Sequence, residues 1–241
     1  MEGALIIYPA AGSKPRRAAL AESHARVPYR TQLLGCARHL LLGWPPLANG
    51  AGLTLLMGWA CPQVSSWMPA TWGAAVLQFL ALVVLGDFGL YWGHRVQHEV
   101  EFLWRFHALH HSIATPSPFS TLYIHKTDAA LQGSIPFAIA ALIVKPAPAV
   151  LYAFLAARIA ENALNHSGLD SRLLDLLTLK ALPLRAAASF HDAHHKFCNH
   201  PRGARNYAES FWVFDWAFGT LSPLCGVAAG AAGAAASAKD A

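Results

Sequence analysis

Long runs of apolar residues, rather than amphipathic alternation, dominate the chain. A first run extends from about Leu40 to Ala60 and is broken early by Pro45 and Pro46. A second, from Trp72 to Tyr91, carries only Gln78 and Asp87 as polar members. Each is near the roughly 20 residues that cross a hydrocarbon core as helix. A third region, from about Leu131 to Ala160, has Lys145-Pro146-Ala147-Pro148 at its middle and is too long for one span and too short for two. The count closes when both helices extend past the apolar stretch. His125 to Val144 and Ala147 to His166 are then 20 residues each, about 30 Å as helix. The Pro-rich turn lies at one surface, and His125 and His166 return to the other. The expected fold is all-α, an integral membrane bundle of about four transmembrane helices under a histidine-rich helical cap.

Composition strengthens that picture. Of 241 residues, 55% are hydrophobic and only 13% charged, about half the charged share of an ordinary soluble domain, and the mean hydropathy is +0.34. A disordered chain is excluded and a soluble globular enzyme disfavoured. The first thirty residues are basic, with Lys14, Arg16, Arg17, Arg26 and Arg30 against Glu2 and Glu22, and show no signal-peptide pattern. Positive residues favour the cytoplasmic side, so residues 1–35 read as a cytoplasmic segment and 36–225 as a multi-pass membrane domain. Residues 226–241 read as an unfolded Ala/Gly tail. Two crossings return the chain to the cytoplasm near His94, which places 94–125 and everything after His166 on that side. Cys36, Cys61, Cys198 and Cys225 form no CxxC pair, which argues against a disulfide framework and a cysteine zinc site.

Thirteen histidines equal the whole carboxylate count. His94 and His98 are spaced i, i+4; His107, His110 and His111, and again His191, His194 and His195, are spaced i, i+3, i+4. On a helix each cluster presents its imidazoles on one face about 5–6 Å apart, while adjacent histidines diverge by about 100°. One of a neighbouring pair can therefore serve one metal and its neighbour another. Eight imidazoles exceed what a single ion accepts, so two ions are the economical reading. Imidazole suits Zn, Cu, Fe and Ni, which leaves the metal open. His24, His39 and His200 are assigned no role. Asp87 lies in an apolar span, where a carboxylate is costly, seven residues before His94. It could hold the outer nitrogen of a ligand histidine or pack with Tyr91; Glu161 and Asp215 are candidates of the same kind.

From about Asp87 to Thr220 the chain resembles the fatty acid hydroxylase and sterol desaturase superfamily. The resemblance lies in Asp87-Phe-Gly-Leu-Tyr91-Trp-Gly-His94-Arg95-Val-Gln-His98, in Leu103-Trp104-Arg105-Phe106-His107-Ala-Leu-His110-His111-Ser112, and in Phe190-His191-Asp-Ala-His194-His195 with Asn206-Tyr207 and Phe214-Asp215-Trp-Ala-Phe-Gly219-Thr220. Thr115 to His125 with Asp128 and Leu131-Gln132 is similar to the C-5 sterol desaturase pattern, and His166-Ser-Gly168 to the 4-methyl sterol oxidases. Trp104 is expected to be an interfacial anchor.

The resemblance implies a membrane non-haem di-iron oxygenase with O2 as co-substrate. The residues matching its ligands are His94, His98, His107, His110, His111, His191, His194 and His195, with His166 and His125 as further ligands. Some branches carry a histidine four residues before His166. Asn162 stands there in this chain, so His125 or a water held by Asn162 completes that shell. The expected reaction is hydroxylation or desaturation of a lipid or sterol-like molecule that slides in from the bilayer. The chain has no GxGxxG loop or ferredoxin-type cysteines. Electrons would then come from a cytochrome b5-like carrier, a ferredoxin or a reductase, docked near Arg202 and Arg205; no nucleic acid partner is expected. The alternatives are a zinc-dependent membrane hydrolase, for which the Glu of an HExxH helix is missing, and a metal transporter or store, whose ligands would sit at mid-bilayer.

Overall fold

The longest helix grows out of the second apolar run, and everything else is arranged around its inner face. The structure is a computed structural model that describes residues 21–42, 46–62, 64, 66–168, 172–180, 182–197 and 203–222. The basic residues before 21, Cys198, His200, Arg202, Cys225 and the Ala/Gly tail from 226 lie outside the described residues. A short helical stretch at 21–26 precedes α1 (Tyr29–Leu42), α2 (Pro46–Ala60), α3 (Trp72–Glu99) and α4 (Glu101–His111). After a 3-10 turn at Pro118–Leu122 come α5 (Lys126–Val144), α6 (Pro148–Asn165), α7 (Arg172–Leu177), α8 (Ala188–Phe197) and α9 (Val213–Ala217). No strand occurs among the described residues; the nearest thing is an isolated bridge between Arg185 and Phe211.

Thr71 starts α3, its hydroxyl accepting from the Ala74 amide at 3.1 Å. The helix turns one stripe inward (Leu82, Gly86, Asp87, Leu90, Tyr91, His94, Gln97, His98) and leaves Val76, Leu80, Val84 and Phe88 exposed. On α5, Ile135, Ile139 and Ile143 are likewise exposed. Polar groups inside and apolar groups outside invert the arrangement of a water-soluble helix pair. Both helices are long and apolar enough to cross a membrane. The other two expected crossings are less complete by length. The first apolar run is not continuous: α1 ends at Leu42, and α2 begins at Pro46, whose fixed φ suits a first helical position. The 15 residues of α2 reach about 22 Å, while the 18 residues of α6 carry buried Arg158 and Glu161.

The expected hairpin is present in outline. Lys145, with φ 52°, ends α5 in the left-handed region, and the Ala147 amide donates to Gln78 Oε1 of α3 at 3.2 Å. Helix α5 packs along α3 on a seam of glycines: a Cβ at Gly89 would lie 2.8 Å from Pro136 Cβ, and one at Gly93 only 2.1 Å from the Leu131 carbonyl oxygen. Leu131 belongs to a π-helical turn, Ala130–Ser134, inside α5. Because backbone cannot retreat as a side-chain tip can, Gly93→Ala is expected to push α5 off α3 and displace His94 beside it. Lower folded yield and lower metal content than in a Gly73→Ala control, where only Thr71 Oγ1 comes near at 3.9 Å, would show it.

Candidate metal centre

Four elements deliver imidazoles to one buried region: the end of α3, the last turns of α4, the residue after α6, and α8. They sort into two groups. His94, His98, His107, His111 and His194 form one, and His110, His166, His191 and His195 the other; within each group the ligand nitrogens lie within 4.8 Å of one another. His110 and His111 fall in different groups, as do His194 and His195, because neighbours on a helix point about 100° apart. Among the described residues no carboxylate or thiolate joins either group.

Most of the outer nitrogens are already fixed. The Nδ1–H of His94 donates to the Tyr207 carbonyl at 2.7 Å and that of His194 to the Arg205 carbonyl at 2.6 Å. His195 donates to Ile113 O at 3.2 Å and His166 to Asn162 O at 2.8 Å. A neutral imidazole carries one N–H, so these bonds leave Nε2 as a bare lone pair directed inward. Several inward nitrogens meet no partner at all. Nε2 of His94, His107 and His195 is buried without a partner. Elsewhere imidazole nitrogens face each other: His98 and His111 at 3.1 Å, His194 and His111 at 3.2 Å, His110 and His166 at 3.2 Å, His191 and His166 at 3.1 Å. Two nitrogens each about 2.1 Å from one cation and at a right angle would be about 3.0 Å apart. Burial, reinforced by neighbouring imidazoles, holds His107, His110, His111, His191 and His195 well below the ordinary histidine range. Burial likewise lowers His194 to about 4. The rings are therefore uncharged near neutrality and ready to ligate. Buried, converging lone pairs without donors fit a pair of transition-metal ions.

Two other expected site residues stand elsewhere. His125 lies outside both groups. It caps the start of α5, with Nδ1 accepting from the Thr127 amide at 3.1 Å, and its ring stacks on Phe106 at 4.8 Å. Asp87 holds no histidine: its carboxylate accepts from the Ser210 and Phe211 amides at 2.9 and 2.8 Å. Asp215 plays the matching part, accepting from the Tyr207 and Ala208 amides, both at 2.8 Å. Together the two carboxylates pin the 205–211 segment whose carbonyls orient His94 and His194. Glu161 is bound by Arg158, by Lys180 at 3.1 Å, by Arg185 at 2.6 Å and by the Ser210 hydroxyl at 2.8 Å, again without a histidine. Arg205, exposed, donates to the Gly219 carbonyl at 3.1 Å.

Sequence reasoning missed three participants. Asp128 Oδ2 accepts from His107 Nδ1 at 3.0 Å, with Gln132 Nε2 at 3.1 Å from the same nitrogen. Such a carboxylate fixes the ring and raises its basicity, and its loss typically costs 10- to 100-fold in metal affinity. Asp128→Ala is therefore expected to weaken metal retention against a chelator by about that factor, with Asp128→Asn intermediate. Trp104 is also a ring partner of the ligands, with centroids 4.9 Å from His98 and 5.5 Å from His111. His39 enters the wall of the cavity that adjoins the four-histidine group.

A cavity of about 440 Å³ reaches His110 and His166 of the four-histidine group and none of the five-histidine group. Leu53 and Leu56 of α2, Phe137 and Ala138 of α5, and Leu155 and Ile159 of α6 form its apolar walls. Asn162 also lines it, and its Oδ1 is buried without a partner.

Comparison with known proteins decides the family. The profile of the fatty acid hydroxylase family matches residues 79–220, more than half of the chain and the part that carries every residue of both histidine groups. The chain belongs to the fatty acid hydroxylase family. Within it, the chain is 34% identical over 149 residues to a very-long-chain aldehyde decarbonylase of Oryza sativa subsp. indica, covering 62% of this chain and 53% of the relative. It is 31% identical over 156 residues to methylsterol monooxygenase 2-2 of Arabidopsis thaliana, covering 65% and 56%. It is also 32% identical over 161 residues to an ornithine lipid hydroxylase of Rhizobium tropici, covering 65% and 45%. The chain thus spans about half the length of the curated relatives it matches. No solved structure matches.

Proposed function

We propose that this fatty acid hydroxylase family member is a membrane di-iron oxygenase that hydroxylates or desaturates a lipid or sterol-like molecule. The observation that carries the reading is the junction of an apolar cavity with His110 and His166 of a four-histidine group. Two irons, one in each group, would supply O2 activation and hydrogen removal from an unactivated C–H bond. The chain's own residues do the rest. Leu53, Leu56, Phe137, Leu155 and Ile159 hold the apolar body of a substrate and keep water from its reacting carbon. The carbonyls of Ile113, Asn162, Arg205 and Tyr207, with Asp128, fix the ring orientations so that nitrogen lone pairs meet at two points. Asn162 presents an amide oxygen at the cavity wall, suited to hold a water or a substrate hydroxyl.

Four membrane crossings, near α2, α3, α5 and α6, with the amino terminus and the histidines on the cytoplasmic side, suit the exposed apolar faces of α3 and α5 and the basic start of the chain. In that arrangement the substrate enters sideways from the bilayer, and a cytochrome b5-like carrier, ferredoxin or reductase delivers electrons from the cytosol. His125 then serves as a helix cap, with water completing the coordination beside Asn162. The test is metal analysis with oxygen uptake on protein purified from membranes. The reading predicts about two irons per chain and oxygen consumption that depends on a reduced donor. Zinc without oxygen consumption would contradict it and favour a hydrolase.

A further inference from the structure

The cavity has a second polar feature, outside both histidine groups, that the proposed chemistry does not use. His39 is buried to 8% exposure and lines the cavity, yet its ring has no hydrogen-bond partner among the described residues. Its position follows from the packing of α1. Gly35 allows α1 to approach the 3-10 turn, since a Cβ there would lie 2.4 Å from the Tyr123 ring, and Cys36 Sγ donates to Phe119 O at 2.9 Å. His39 lies one turn further along the same face. The turn contributes Thr121, also 8% exposed and lining the cavity. Thr121 Oγ1 donates to Pro118 O at 2.9 Å, which leaves the hydroxyl's lone pairs free.

We propose that His39 and Thr121 form a polar subsite gripping one neutral hydrogen-bonding group, a hydroxyl or carbonyl, on an otherwise apolar substrate. The inference rests on the reading of this cavity as the substrate chamber, and it names the class of molecule the chamber takes. A neutral imidazole offers one donor and one acceptor, and the threonine oxygen offers a further acceptor. A hydroxyl uses both kinds of group and a carbonyl uses the donor. A carboxylate or phosphate is disfavoured. The charged residues lining the cavity are Asp128, Glu209 and Arg158, and the guanidinium is already bound by Glu161 and Glu209, so no free cationic side chain awaits an anion there among the described residues. Burial also favours the uncharged form of His39.

The experiment is competition binding on purified, iron-loaded protein in nanodiscs, without O2 or reductant. Octadecanol and octadecanoate each compete with a fluorescent long-chain alcohol. One hydrogen bond gained or lost corresponds to a three- to tenfold change, approximately. Octadecanol is expected to compete at about tenfold lower concentration than octadecanoate. His39→Leu is expected to raise the octadecanol requirement by about tenfold while leaving octadecanoate competition and iron content unchanged, and His39→Gln to restore most of the preference. The inference is overturned if His39→Leu binds octadecanol as the parent does, or if octadecanoate competes as well as octadecanol. Either result, read without turnover, would leave the oxygenase reading standing; absence of iron or of oxygen uptake would count against that reading instead.

Discussion

His98→Ala and His166→Ala are each expected to lose about one of the two metal ions while retaining the other. His98 belongs to the five-histidine group and His166 to the four-histidine group, and each is far in sequence from the adjacent pairs that serve both. An outer partner of a ligand is worth about 10- to 100-fold in affinity or activity, so removing a ligand outright is expected to cost at least that. Oxygen consumption should fall by on the order of a hundredfold or more in both variants. The two are distinguishable, because only His166 lines the cavity. His98→Ala should leave binding of an apolar ligand intact, and His166→Ala should alter it. Metal analysis beside thermal unfolding checks the expectation. Simultaneous loss of both ions with unchanged stability would mean that the groups do not bind independently.

Asp87→Leu is expected to be strongly destabilising. The carboxylate is fully buried and accepts two amide hydrogens, from Ser210 and Phe211. A leucine leaves the buried Ser210 amide and the half-buried Phe211 amide without acceptors, at up to roughly 1–3 kcal/mol each, so at most about 2–6 kcal/mol in all against a typical total of 5–15 kcal/mol. The loss propagates to the metal centre through backbone. Freed from Asp87, the 205–211 segment keeps its Asp215 anchor but holds the carbonyls of Arg205 and Tyr207 less firmly against His194 and His94. Asp87→Asn, which keeps one acceptor, should recover about half of the lost stability. Thermal unfolding in detergent with metal retention measures both effects. A leucine variant as stable as the parent and fully metallated would refute this role.

Local periodicity carries ligand geometry: the spacing in His107, His110 and His111 and in His191, His194 and His195 already implies diverging neighbours, and the structure separates them accordingly. The α5–α6 hairpin was legible because the Pro-rich turn and two equal helical lengths leave little freedom. Partners brought together by tertiary folding were not. Asp87 meets amides 123 and 124 residues away, and His107 meets Asp128 across 21 residues and a turn; no periodicity encodes such pairings. His125 sits at the expected end of its helix, but the helix begins immediately after it. Its ring is therefore occupied in capping the Thr127 amide. His39 shows the reverse: a histidine with no neighbouring pattern acquires a place in the cavity wall only because Gly35 lets α1 close on the 3-10 turn.

Anomalous scattering at the iron edge, on the protein isolated from membranes, asks the decisive question. Two iron peaks are expected, one inside the ring of His94, His98, His107, His111 and His194 and the other among His110, His166, His191 and His195. A single peak, none at the iron edge, or an ion held at His125 would contradict this arrangement.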